Sequence, residues 1–205
     1  MKKLIFLCVF LQNWYLQLLY LLLESIYIYG NLDYNTKILI YTPTFFEKKI
    51  RKSCFYSDKI LFQNHDGKIN VDYGCKSRLD FFDFSIVKEF DKVLYMDVDV
   101  LVHGDLNQIF DLAEEDILYA QGSGNIDDPA DYFYRSLFGD TLKNYEDKSE
   151  FCSWVLFFHN SEKMEDLLNH IRSHIEEKYR YFSCYYQPFI VYNAMKTNWV
   201  IKKKD

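Results

Sequence analysis

Along this chain, apolar runs of strand length alternate with stretches in which apolar residues recur at helical spacing. Leu4 to Phe10 is an unbroken apolar run that predicts a short buried strand. Trp14 to Tyr29 predicts a helix, ended by Gly30 at a left-handed cap position. Asn31 to Asn35 reads as a turn, and Lys37 to Tyr41 as a strand stopped by Pro43. Phe45 to Lys52 predicts a helix, Asp58 to Gln63 a strand, and Asn64 to Asn70 a polar loop. Leu79, Phe82, Ile86 and Phe90 predict one helix over Tyr73 to Phe90, with the Phe81, Phe82 and Phe84 cluster as core. Lys92 to Met96 is a buried-type strand, Asp105 caps a helix through Leu112, and Asp116 to Ala120 is a further strand. Gly122 to Asp131 reads as a flexible loop and Phe151 to Phe158 as a long strand. Ser161 is a good N-cap for a helix whose Met164, Leu167, Leu168, Ile171 and Ile175 keep one apolar face. Cys184 to Lys196 predicts a last helix and Trp199 to Ile201 a last strand. This alternation means an α/β fold, a mostly parallel sheet flanked by helices, in a single domain over residues 1–205.

Composition narrows the class. A chain of 205 residues can bury a core without disulfides or a structural metal. With 49% hydrophobic and 26% charged residues, wholesale disorder is excluded, and 7 Gly with 3 Pro exclude collagen-like designs. A net charge of −6 gives no global pull toward nucleic acid or anionic membranes. Cys8, Cys54, Cys75, Cys152 and Cys184 are odd in number and form no C-x-x-C pair, which argues for plain thiols in a reducing, cytoplasmic setting.

The N-terminal segment has a competing reading. Lys2 and Lys3 before Leu4 to Leu11 resemble a short signal peptide, and the uncharged Leu4 to Leu23 nearly reaches bilayer length. No small-residue cleavage site follows, and Gln12, Asn13 and Gln17 would place amides in the hydrocarbon. Strand plus helix is therefore expected over an N-terminal signal-anchor.

The chemistry concentrates at Lys92-Val93-Leu94-Tyr95-Met96-Asp97-Val98-Asp99. Alternation along an extended backbone sets Asp97 and Asp99 on one side, at the carboxyl end of a strand, where open α/β sheets bind ligands. Two such carboxylates are hard oxygen donors suited to Mg²⁺ or Mn²⁺ shared with substrate phosphates. Bland readings fit the remaining candidates. His103 is a surface residue, His170 and His174 a solvated pair, Glu114, Glu115, Asp116, Asp127 and Asp128 solvated charges, and Lys202 to Lys204 a charged tail too short to argue nucleic-acid binding.

The stretch Y-M-D-V-D-V-L-V-H-G-D-L-N-Q-I-F, from Tyr95 to Phe110, resembles the core of glycosyltransferase family 8, whose members read like "Y-L-D-A-D-V-L-V-x-G-D-L-x-x-L-F". Lys76-Ser77-Arg78-Leu79 resembles that family's basic stretch before the strand. Phe151-Cys152-Ser153-Trp154-Val155-Leu156-Phe157 stands where the family has "F-N-S-G-V-L-L", and Tyr186-Gln187-Pro188 where it has "D-Q-P" or "E-Q-P". The resemblance implies a GT-A fold, a nucleotide-sugar donor (usually a UDP-sugar), a divalent metal (usually Mn²⁺), and retention at the anomeric carbon. It implies that Asp97 and Asp99 hold the metal, with Val98 between them at the nucleotide, and that Lys76 or Arg78 contacts the donor. Ser153 and Gln187 would line the sugar pocket as its catalytic pair, and the loop around Gln12 would sit near the nucleoside.

The chain departs from the pattern at Cys152, Trp154 and Tyr186 and stops at Asp205, short of the family's C-terminal motif with a metal-binding His. The alternative expectation is therefore an inactive or truncated member that binds nucleotide-sugar or serves as a scaffold. The acceptor, whether glycan, protein or lipid, is not encoded in these motifs.

Overall fold

Four apolar segments of the first half become parallel strands: β1 (Lys3–Cys8), β2 (Thr36–Thr42), β3 (Ile60–Asn64) and β4 (Lys92–Met96). β1 pairs with β2 on one side and β4 on the other, and β2 pairs with β3. The order is thus β3-β2-β1-β4. The chain steps outward from β1 to β3, then crosses to the opposite side of β1 to lay down β4. That reversal between β1 and β4 is a topological switch point, where strand ends diverge and leave a crevice. Leu4, Ile5, Phe6 and Leu7 of β1 are fully buried, as a strand covered on both faces must be.

The computed structural model describes residues 1–112, 114–126, 137–145, 149–178, 186–197 and 200–204. The chain divides into two compact units, Met1–Ala113 and Glu114–Asp205.

In the first unit, α1 (Asn13–Tyr29) follows β1, so the N-terminal apolar segment is strand plus helix. Among the described residues no helix is long and apolar enough to cross a membrane. Gly30 does not take the expected left-handed cap; its φ is −72°, and Asn31 next to it has φ 48°. Glycine is needed there for space instead, since a Cβ would lie 2.6 Å from the Ile26 carbonyl oxygen. α2 (Thr44–Ile50) links β2 to β3.

The single helix expected over Tyr73 to Phe90 is broken into α3 (Val71–Lys76) and two 3₁₀ turns, Ser77–Asp83 and Ser85–Glu89. The physical reason is in the burial pattern. Phe81, Phe84, Val87 and Phe90 are all buried at a period of three, which a continuous α-helix would rotate off the core; extended Phe84 (φ −95°, ψ 116°) separates the two short turns and lets each of them return its apolar residues inward. Phe6 of β1 meets the rings of Phe81, Phe84 and Tyr95 in that core. α4 (Leu106–Asp111) starts at Asp105, whose carboxylate accepts from the Asn107 N–H at 2.8 Å, the expected cap.

In the second unit, β5 (Ile117–Asn125) pairs antiparallel with β6 (Ser149–His159) and parallel with β7 (Val200–Lys204). The basic run Lys202 to Lys204 is therefore strand, not a tail, and residues 122–125 of the expected loop are strand as well. α5 (Glu162–Lys178) buries all five expected apolar residues, with Ser161 accepting from the Met164 N–H. α6 (Gln187–Lys196) completes the unit. His174 is packed rather than solvated: it pairs with the Asn193 amide at 3.0 Å and meets the rings of Phe189 and Tyr192. His170 is exposed, as expected. Asp127, Asp128, Cys184 and Trp199 lie outside the described residues.

Candidate functional site

The register of β1 on β4 runs from Lys3↔Lys92 to Leu7↔Met96. One step further along both strands sets Cys8 level with Asp97, at the carboxyl ends and at the switch point. There a cleft of about 160 Å³ opens, lined by Cys8, Leu11, Tyr15, Arg78, Asp97 and Asp99 among others. Asp97-Val98-Asp99 is a tight turn leaving β4, not a continued strand. The turn still puts both carboxylates on the cleft, while Val98 lines it and is 7% exposed.

Two tethers hold this turn in place. The Val102 N–H donates to the Ser25 hydroxyl at 3.0 Å in a buried contact, and the Leu106 N–H donates to the Gly30 carbonyl at 3.1 Å. The segment following Asp99 is thereby fastened along α1. On the other wall, Leu11 adopts φ 75°, a left-handed conformation that costs a branched side chain energy. Its Cδ1 lies 3.3 Å from where a Cβ on Gly74 would stand, so the absence of a side chain at Gly74 lets α3 approach the β1–α1 loop.

Asp97 is the most constrained group. The Arg78 guanidinium pairs with it at 3.2 Å, with only 16% of the arginine side chain and 28% of the aspartate exposed. The Tyr95 hydroxyl donates to it, and the same guanidinium lies over the Tyr95 ring, 4.9 Å from the centroid. Burial raises the Asp97 pKa above the usual 3.8. Arg78 and the Tyr95 hydroxyl pull it down, the nearby Asp99 charge pushes it up, and the rise wins. Burial pushes the Tyr95 phenol well above its ordinary value, so it is a neutral donor. Burial opposes the Arg78 charge, but Tyr95 and Asp97 outweigh it and keep the guanidinium charged. Burial also raises the Cys8 and Cys75 thiols, which keeps both protonated and poor nucleophiles. This arrangement is built to hold charge, not to perform thiol chemistry.

Asp97 and Asp99 feel each other's charge, a situation that a cation between them relieves. Among the described residues no group of three or more His, Cys, Asp or Glu forms a cage. The two carboxylates, Asp97 and Asp99, could hold a hard cation only with further oxygens from outside the chain.

Of the residues expected from sequence, Arg78, Asp97, Val98 and Asp99 meet at the cleft. Lys76 ends α3 and is not among the lining residues. Ser153 and Gln187 meet in the second unit, where the Ser153 N–H donates to the Gln187 amide oxygen at 3.0 Å. Ser153 is buried, Trp154 is 44% exposed, and Tyr186 is buried at the start of α6. Gln12 is exposed and accepts from the Trp14 indole; its neighbour Leu11 is what reaches the cleft. Sequence reasoning passed over Tyr95, although period-two alternation puts it on the same side as Asp97. Cys8, Tyr15 and Cys75 carried no signal of their own.

No protein-family model matches this sequence, and no curated protein matches it. Solved structures do. The galactosyltransferase LgtC, in complex with donor and acceptor sugar analogs, aligns with a TM-score of 0.68 at 17% identity, over 91% of this chain and 69% of LgtC. The glycosyltransferase GlyE of Streptococcus pneumoniae TIGR4 aligns with a TM-score of 0.64 at 19% identity, over 100% of this chain and 45% of GlyE. Mouse xyloside xylosyltransferase 1 aligns with a TM-score of 0.65 at 12% identity, over 100% of this chain and 86% of its own. The chain spans less than half of GlyE. At these identities the likeness is one of fold: a mixed α/β architecture of the GT-A type.

Proposed function

We propose that this chain moves a sugar from a nucleotide-sugar, a UDP-sugar in the first instance, to a hydroxyl acceptor, as a metal-dependent, retaining glycosyltransferase of the family 8 type. The observation that carries this reading is the convergence of Arg78, Asp97 and Asp99 on one cleft at the β1/β4 switch point. A fold shared with sugar transferases supports it.

The residues divide the work. Asp97 and Asp99 would hold Mn²⁺ or Mg²⁺, which when bound neutralises the departing diphosphate. Tyr95 orients Asp97 by its hydrogen bond and carries Arg78 on its ring. Arg78, at the same wall, is placed to bind a diphosphate oxygen with a charge-assisted hydrogen bond. Tyr15 lines the cleft, and its ring, stacked on Trp14, is the aromatic group there for the nucleoside. The cleft volume is well below the roughly 300–1,000 Å³ of a site for a whole ligand of that size. The first unit thus grips the diphosphate end. In the transfer, the acceptor oxygen forms its bond to the anomeric carbon as the carbon–oxygen bond to diphosphate breaks. The electron pair leaves with the diphosphate, whose departing oxygen takes the proton of the acceptor hydroxyl.

A second reading, a nucleotide-sugar-binding protein without transfer, is favoured by one observation: Asp97 is already engaged by Arg78 and Tyr95. Calorimetry of UDP with Mn²⁺ and again with EDTA, beside Asp99→Asn, tests both. Metal-dependent binding that weakens at least tenfold in the variant supports the site, and donor turnover then separates transfer from binding alone. Absence of binding by folded protein under every condition refutes both.

A further inference from the structure

One surface of the first unit has a composition the proposed site does not use. The outward side of α2 carries Phe45, Lys48 and Lys49, continued by Lys52, at positions i, i+3, i+4 and i+7. All four are exposed, Phe45 to 50%. Arg51 beside them is paired with Glu47 and lies over the rings of Tyr56 and Phe62. Lys49 Nζ donates to Asn13 Oδ1 at 2.8 Å, which joins this side to the start of α1. From there Trp14, Leu21 and Ile28, seven residues apart, form an exposed apolar stripe along α1, 46, 52 and 61% exposed.

We infer that this surface docks the protein on an anionic lipid membrane from one side. The segment from Thr44 to Lys52 holds Lys48, Lys49, Arg51 and Lys52 against a single acid, Glu47, in a chain of net charge −6. Asp66 beside it is occupied in capping Thr44, and on the α1 side the exposed Glu24 stands between Leu21 and Ile28, one acid among the apolar residues. Overall charge therefore says nothing against a local cationic face. Lysines beside aromatic and aliphatic side chains match the headgroup–acyl boundary. The ammonium groups reach the phosphates, and Phe45, Trp14, Leu21 and Ile28 enter the apolar edge.

Other occupants fit less well. A second copy meeting this face about a two-fold axis would bring like charges together. A nucleic acid would satisfy the lysines but leave Leu21 and Ile28 against water. The contact is peripheral, since no described helix crosses a bilayer. Trp14 stacks on Tyr15, a cleft-lining residue, at 3.6 Å between centroids, so docking sets the cleft beside the headgroups.

The test is co-sedimentation of the purified chain with phosphatidylcholine vesicles, with and without phosphatidylglycerol, at low salt and at high salt. Binding is expected to the anionic vesicles only, weakening with salt. Lys48→Gln/Lys49→Gln/Lys52→Gln is expected to bind on the order of 100-fold more weakly. Trp14→Ser/Phe45→Ser is expected to lose binding with its charge unchanged. Lys88→Gln/Lys143→Gln/Lys163→Gln, at exposed positions elsewhere, removes the same three charges and should bind as the parent does. Circular dichroism confirms that each variant is folded. Failure of the parent to sediment with anionic vesicles overturns the inference. So does full binding by Trp14→Ser/Phe45→Ser, or tighter binding to heparin than to vesicles, either of which would mark a plain polyanion site. UDP binding by the parent protein without vesicles is a separate measurement, so the docking surface and the proposed activity stand or fall separately.

Discussion

Removing the guanidinium of Arg78 while keeping its length, as in Arg78→Met, isolates the electrostatics of the cleft. In the parent protein Asp97 is largely withdrawn from water and faces Arg78 at 3.2 Å. Breaking a fully buried pair by removing one partner costs roughly 3–5 kcal/mol, because the other charge is left uncompensated. Asp97 retains 28% exposure and keeps the Tyr95 hydroxyl, so the expected cost here is about 2 kcal/mol at pH 7. The sign of the pH dependence follows from the carboxyl. Burial already raises its folded pKa above 3.8, and losing Arg78 raises it further. A carboxyl raised on folding binds more protons in the folded state, so its destabilising effect grows as pH rises through the shifted range and fades below it. Urea denaturation at pH 7 and at stepwise lower pH should show the gap between variant and parent closing as Asp97 protonates. Asp97→Asn in the Arg78→Met background should recover part of the loss. An equal loss at every pH, with no recovery in the double variant, would mean that Arg78 matters through packing and that the electrostatic account is wrong.

Two further outcomes follow from the same geometry. Ser25→Ala strips the buried Val102 N–H of its acceptor and should cost about 1–3 kcal/mol in denaturant stability. Because that tether holds the turn carrying Asp99, weaker Mn²⁺-dependent UDP binding should accompany it; unchanged binding would show that the turn holds itself. At the opposite end of the sheet, burial raises the Asp33 pKa, but hydrogen bonds from Lys3, Thr36 and the Asn35 N–H outweigh it and leave the pKa below 3.8. That contribution is present above the unfolded pKa and is lost as pH falls through the lower folded one. Asp33→Asn should therefore cost about 1–2 kcal/mol at neutral pH and nothing in strong acid, as read by denaturation at both extremes.

What the sequence alone determined is the place of most strands and helices and the two carboxylates at the end of β4. Lys92 to Met96 is β4 to the residue, and the apolar face of α5 is the expected one, because local periodicity records which side of an element is dry. Asp97 and Asp99 were legible because two carboxylates straight after a buried strand need a reason to be there, whereas the family resemblance left Lys76 and Arg78 as alternatives. Tertiary structure decided the rest. The break of Tyr73 to Phe90 into 3₁₀ turns depends on which phenylalanines reach Phe6, a contact 75 residues away in sequence from Phe81. The preference for Arg78 over Lys76 depends on which side of a turn faces the cleft, and the place of Tyr95 depends on a hydroxyl meeting a carboxylate around a corner. His174 reads as a solvent residue until α6 is laid against it. Periodicity reports burial one element at a time. Hydrogen bonds, pKa shifts and the cleft itself are properties of pairs that only the strand order β3-β2-β1-β4 and the α5–α6 packing bring together.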